Sequence, residues 1–137
     1  MKIAIVYATT TGNTESMAEA MKEALAGNDV YYSNADSADA DTVLASDVIL
    51  LGSPAMGDEV LEESAEAFFC KIEGSLSGKK VALFGSYDWG EGKWLADWED
   101  RVKSCGAVIA TDALKVHLTP EDADIAKCKD FAAAATK

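Results

Sequence analysis

The segment Thr9-Thr10-Thr11-Gly12-Asn13-Thr14 carries four hydroxyls, one carboxamide and a glycine. It sits between an apolar run, Ile3-Ala4-Ile5-Val6-Tyr7, and a stretch with helical spacing. A helix that begins just after a strand presents unpaired amides and a partial positive charge, which together hold phosphate. The hydroxyls of Thr9, Thr11 and Thr14 and the Asn13 amide would add neutral donors, and Gly12 would let the backbone come close. The lysine of GxxxxGKS/T is missing, so this is not a nucleotide-triphosphatase loop; GxGxxG is missing too, so it is not a dinucleotide fingerprint. What remains is a phosphate-monoester site, or more plainly a threonine-rich turn with a helix cap.

Two further loops carry a large apolar residue where solvated residues are usual. Gly52-Ser53-Pro54-Ala55-Met56-Gly57-Asp58-Glu59 has Met56 at its middle, and Gly85-Ser86-Tyr87-Asp88-Trp89-Gly90-Glu91-Gly92 has Trp89. Methionine is adaptable and polarizable against an aromatic face, and indole stacks well. Each residue alone reads equally as core packing. Together, on two loops, they point to a clamp for something flat.

These loops must be positioned by a scaffold. Ile3 to Tyr7, Val48 to Leu51 and Val81 to Phe84 are continuous apolar runs, the sign of strands covered on both faces. Val30-Tyr31-Tyr32 reads as an edge strand, and Ala107 to Ala110 with Leu114 to Leu118 as a last strand region containing a break. Helix stripes fall at Met17, Ala18, Met21 and Leu25; at Ala65, Phe68, Phe69, Ile72 and Leu76; and at Leu95, Trp98, Val102 and Cys105. Val43 and Leu44 mark a short helix, and a final helix is expected from Pro120, as its first residue, to near Thr136. Five strands alternating with five helices require right-handed crossovers and a parallel sheet with helices on both faces. The expectation is one α/β domain over residues 1–137, with ligand at the C-terminal strand ends, on the loops after the first, third and fourth strands.

Lysine and arginine number 12 against 24 acids, for a net charge of -12. Such a chain is repelled by nucleic acid and by anionic membrane surfaces, whereas a basic partner protein would be attracted. Cys70, Cys105 and Cys128 are widely spaced without CxxC, which argues against a disulfide framework and reads as small hydrophobes buried on helices. His117 is the only histidine and has no ligand pair nearby, so no metal site is expected. The opening residues lack a signal sequence, which makes a cytoplasmic address the expectation.

The three loops, in this order and at these strand ends, resemble the FMN-binding loops of flavodoxins, most closely the short-chain flavodoxins of anaerobic bacteria. The similarity covers essentially the whole chain and is strongest over Ala55–Glu63 and Val81–Trp94. It implies a three-layer doubly wound fold with a five-stranded parallel sheet of order 2-1-3-4-5. It also implies one noncovalent FMN and a monomeric carrier of single electrons at low potential. The partners would be reductases and ferredoxin-dependent enzymes with basic docking faces.

The resemblance assigns roles as well. Thr9, Thr10, Thr11, Gly12, Asn13, Thr14 and Ser86 would hold the FMN phosphate. Met56 would lie on one face of the isoalloxazine and Trp89 on the other. The Gly57 carbonyl would turn toward flavin N5 in the neutral semiquinone, and Glu59 would accept from flavin N3. Backbone around Asp88 and Trp89 would meet the pyrimidine edge, and Ser53, Pro54, Ala55, Asp58, Tyr87 and Gly90 complete the cofactor set.

Elementary chemistry agrees with these roles. Flipping the Gly57–Asp58 peptide changes ψ of a glycine and φ of an aspartate, and aspartate tolerates left-handed φ better than most residues. A second electron would make an anion near Asp58, Glu59, Glu62, Glu63, Asp88 and Glu91. A like charge at ~6–10 Å costs roughly 2–3 kcal/mol before screening. Departures from the short-chain pattern are Asp88 in place of glycine, Ala8 of tryptophan, Thr10 of glycine and Ser53 of cysteine. Asp88 is expected to lower the second potential or weaken FMN binding relative to glycine.

Two other functions compete with this one. A phosphoacceptor receiver domain needs an acid pair after the first strand and an aspartate after the third, where this chain has Ala8-Thr9 and Gly52-Ser53. An FMN-dependent NAD(P)H reductase of the same fold usually carries added segments, for which 137 residues leave no room.

Overall fold

The N-terminal apolar run divides its side chains between two cores, as strand alternation requires: Ala4 and Val6 enter one, Ile3, Ile5 and Tyr7 the other. A computed structural model describes residues 1–137. In chain order the elements are β1 (Lys2–Tyr7), α1 (Asn13–Ala24), β2 (Asp29–Asn34), α2 (Ala40–Leu44), β3 (Val48–Gly52), β4 (Ala55–Met56) and β5 (Val60–Leu61). There follow α3 (Glu63–Ile72), β6 (Lys80–Tyr87), α4 (Lys93–Ser104), β7 (Val108–Ile109), β8 (Leu114–His117) and α5 (Asp122–Ala135).

The main sheet is parallel throughout and runs β2-β1-β3-β6-β7, with β8 also beside β6. β7 pairs with Lys80 and Val81, and β8 with Phe84 to Tyr87, so the two are successive pieces of one fifth strand. Counted as five strands, the order is the expected 2-1-3-4-5. The break in the last apolar region is where that strand leaves the ladder and returns.

The Ala4 core contains Phe68, Phe69, Ile72, Trp94, Leu95, Trp98 and Val102, from α3 and α4. The Ile3 core contains Met17, Ala18 and Met21 from α1, with Cys128, Phe131, Ala132 and Ala135 from α5. Helices thus cover both faces. The periodic apolar positions of each stripe point at the sheet, and their burial supplies most of the folding drive.

Several local expectations are corrected. Pro120 precedes the last helix instead of opening it, because Glu121 and Asp124 form a capping box that sets the start at Asp122. Leu76 is buried but lies beyond α3, after a 3-10 turn at Glu73–Ser75. Ser86 and Tyr87 belong to β6, because β8 extends the ladder to them. Met56 lies in an antiparallel hairpin with Val60, around Gly57-Asp58-Glu59. Of the cysteines only Cys128 is buried; Cys70 is exposed and donates to Glu66.

Candidate functional site

The C-terminal ends of β1, β3 and β6 bring the three loops to one side of the sheet, around a cleft of about 480 Å³. That volume lies in the range of small-molecule sites. Thr10, Thr11 and Asn13 line it from the first loop, Pro54 to Gly57 from the second, and Ser86 to Trp89 from the third. Leu118 and Thr119, after β8, also line it and were absent from the expected set. They follow the fifth strand, so the rule that ligands sit at C-terminal strand ends would have found them.

Seven of the expected residues do not line the cleft. Thr9 Oγ1 accepts from the Gly12 amide at 3.0 Å and shapes the loop. Gly12 is the left-handed cap residue of α1, at φ 91°. Thr14 is buried, and its hydroxyl lies 2.7 Å from that of Ser86. Ser53 is buried too; its hydroxyl donates to the Pro54 carbonyl and accepts from the Glu62 amide, each at 2.9 Å. Asp58 is exposed at the hairpin turn.

Glu59 turns toward α4. Its Oε1 accepts from the amides of Gly92 and Lys93 at 3.0 and 2.7 Å, so the carboxylate caps that helix and meets its dipole. Gly90 lies against the same carboxylate, where a Cβ would come within 2.6 Å of Glu59 Cδ. A Cβ there would push the end of the Glu59 side chain aside, and at φ 92° only glycine is unstrained. At the turn itself the left-handed residues are Gly57 (φ 49°) and Glu59 (φ 57°), not Asp58; Asp88 is not left-handed either. The two helix-capping bonds offset the cost of Glu59's backbone.

The phosphate-loop end of α1 has no side-chain cap. Its first-turn amides therefore remain open, beside Thr and Asn side chains and without any cation in the loop. Below it, Tyr7 donates to Glu15 at 2.9 Å; burial and that carboxylate push its phenol pKa up and keep it a neutral donor. On the cleft's other side Trp89 is 60% exposed, an unusual setting for an indole inside a folded chain.

A family model described as "Flavodoxin" matches residues 5–131. The chain belongs to the flavodoxin family. It is 47% identical over 123 residues to the flavodoxin of Clostridium beijerinckii, covering 88% of this chain and 89% of that one. It is 44% identical over 138 residues to that of Megasphaera elsdenii, covering 98% of each. The crystal structure of oxidised flavodoxin 1 from Bacillus cereus superposes with a TM-score of 0.89 at 31% identity, over 99% of this chain and 97% of that one.

Membership in the flavodoxin family makes this an FMN-binding electron carrier rather than an enzyme, and such a carrier works between redox partner proteins. The residues present fit FMN: an open helix end with neutral donors suits its phosphate, and the bare Trp89 indole suits a flat ring. No helix is long and apolar enough to cross a membrane.

Proposed function

We propose that the chain shuttles single electrons at low potential through one noncovalently bound FMN. In this reading residues 1–137 form one cofactor-binding domain, a cytoplasmic monomer. Its partners are reductases and ferredoxin-dependent enzymes with basic docking faces. The observation that carries the proposal is the convergence, on one cleft, of an uncapped helix end and of two loops bearing Met56 and Trp89.

FMN, when bound, supplies two successive one-electron steps at its ring. Amides of the first turn of α1, with Thr10, Thr11 and Asn13, hold the phosphate. Thr9 and Thr14 act from behind: Thr9 ties the loop to Gly12, and Thr14 ties α1 to β6 through the hydroxyl of Ser86, which itself lines the cleft. Met56 and Trp89 cover the ring and exclude water from it. Gly57 is in the left-handed region at the hairpin turn, and its carbonyl would be the group to face ring N5. Glu59 caps α4 through Oε1 and does not line the cleft; its Oε2, which has no hydrogen-bond partner in the protein, would be the atom to accept from ring N3. The net charge of -12 disfavours a second electron on the ring and steers basic partners to the face.

A stepwise redox titration followed by absorbance tests this. Two well-separated one-electron steps are expected. A single two-electron step, or failure to bind FMN, would overturn it.

A further inference from the structure

The loop that carries Trp89 is held from below by two side chains of β8. Nε2 of His117 lies 2.9 Å from the Asp88 carbonyl oxygen, and Nζ of Lys115 lies 2.7 Å from that of Glu91. A carbonyl oxygen only accepts, so His117 Nε2 carries the hydrogen. Strand alternation explains the pairing: Lys115 and His117 are two apart and share a sheet face, while Val116 between them is buried in the opposite core. The Tyr87 ring braces both, with its centroid 5.0 Å from the His117 ring and 5.9 Å from Lys115 Nζ.

Lys115 is more than a surface lysine swinging in water. Its stem occupies the space beside Gly92, where a Cβ would meet Lys115 Cδ and Nζ at 2.9 Å. The Glu91–Gly92 peptide is accordingly gripped at both ends: its carbonyl accepts from Lys115 and its N–H donates to Glu59 at 3.0 Å.

The Asp88–Trp89 peptide is gripped at one end. A trans peptide points its N–H away from its carbonyl, so a carbonyl fixed on His117 fixes the Trp89 N–H in the opposite direction. No group in the protein accepts from that N–H. Asp88 and Trp89 both line the cleft.

We propose that His117 and Lys115 are positioning residues: they fix the backbone of residues 88–92 so that the Trp89 amide and indole are aimed before the cofactor arrives. The role rests on the FMN reading above. Neither residue lines the cleft; each acts through a peptide whose direction it sets. The effect is preorganisation, which raises affinity by removing an ordering cost on binding.

The experiment uses His117→Phe, which keeps a ring on Tyr87 but removes the donor, and His117→Gln, which restores an N–H. Lys115→Met keeps the stem beside Gly92 and removes the charge. NMR backbone order parameters at residues 88–92 are measured in the FMN-free chain, and FMN affinity by fluorescence quenching. His117→Phe is expected to lower the order parameters of Trp89 and Gly90 and to bind FMN about three- to tenfold more weakly. His117→Gln is expected to recover both, and Lys115→Met to speed amide exchange at Gly92, whose N–H is bonded to Glu59. Wild-type order parameters and affinity in His117→Phe would overturn the proposal. So would an equal loss in His117→Gln, since ring packing and not donation would then be at work. A wild-type chain that binds no FMN overturns the cofactor reading itself, while the order parameters of the FMN-free chain still decide the clamp.

Discussion

The hydroxyl oxygens of Thr14 and Ser86 lie 2.7 Å apart, in residues only 1% and 4% exposed, and join the first turn of α1 to the end of β6. Each satisfies the other at the floor of the cleft, where little of either residue is exposed. Ser86→Ala therefore strands the Thr14 hydroxyl and is expected to cost about 1–2 kcal/mol in urea unfolding. Pairing it with Thr14→Val should recover part of that loss, because removing both partners leaves no unmet donor. A double variant less stable than the sum of the singles would contradict the pairing.

Trp89 in the third loop and Trp98 on α4 have opposite roles. Trp98 is 2% exposed and meets Phe69 edge-on at 6.0 Å. Trp98→Ala should lose about 3–5 kcal/mol of stability. Trp89→Ala should change stability by about 0.5 kcal/mol or less. It should nonetheless weaken FMN binding about tenfold. Denaturant curves and FMN titrations on both variants check the contrast; equal effects on FMN would refute it.

Glu59 is expected to act on the fold before it acts on any cofactor. Glu59→Ala removes the carboxylate from the first-turn amides of α4 and should destabilise the FMN-free chain by about 1 kcal/mol. Glu59→Gln keeps an oxygen acceptor and should lose less. Thermal unfolding without FMN gives the answer, and an Ala variant as stable as wild type would count against the cap.

Asp88→Gly tests a departure from the short-chain pattern. Asp88 is exposed and outside the left-handed region, so glycine gains no conformational relief there. What changes is one negative charge at the edge of the cleft. The second reduction potential should rise and FMN affinity increase modestly, with both effects shrinking as salt is added. No difference at low salt would contradict the charge argument.

A pH dependence is expected far from the cleft. Arg101 grips Glu66 through Nη1 and Nη2 at 2.6 and 2.7 Å and lies over the Phe69 ring at 4.8 Å. The Arg101 hydrogen bonds hold the Glu66 pKa below its ordinary value. A lowered carboxylate pKa stabilises the fold above the unfolded value, and that contribution is lost as pH falls through the folded one. Both side chains are more than a third exposed, so the pair contributes about 0.5–1 kcal/mol at most. Glu66→Gln should be less stable than wild type at neutral pH, with the gap closing below about pH 4. A gap that persists in acid would rule this out.

The alternation of strand and helix, the two-faced apolar runs and the three polar loops were legible in the sequence, because each depends on neighbours a few residues apart. Helical spacing placed Phe68, Phe69 and Trp98 in a core without any knowledge of what they would meet, and the break after Ala110 foretold a divided last strand. Which members of the loops face the cleft was not legible. Ser53, Thr14 and Glu59 have the chemistry of ligand-binding groups, yet they bond to partners 9, 72 and 33 residues away. His117, read as an isolated histidine, meets the Asp88 carbonyl 29 residues back only because β8 lies beside β6. A hydroxyl or carboxylate serves ligand or fold according to the group across from it. Sequence spacing sets the element it stands on; the packing of distant strands and helices sets what it faces.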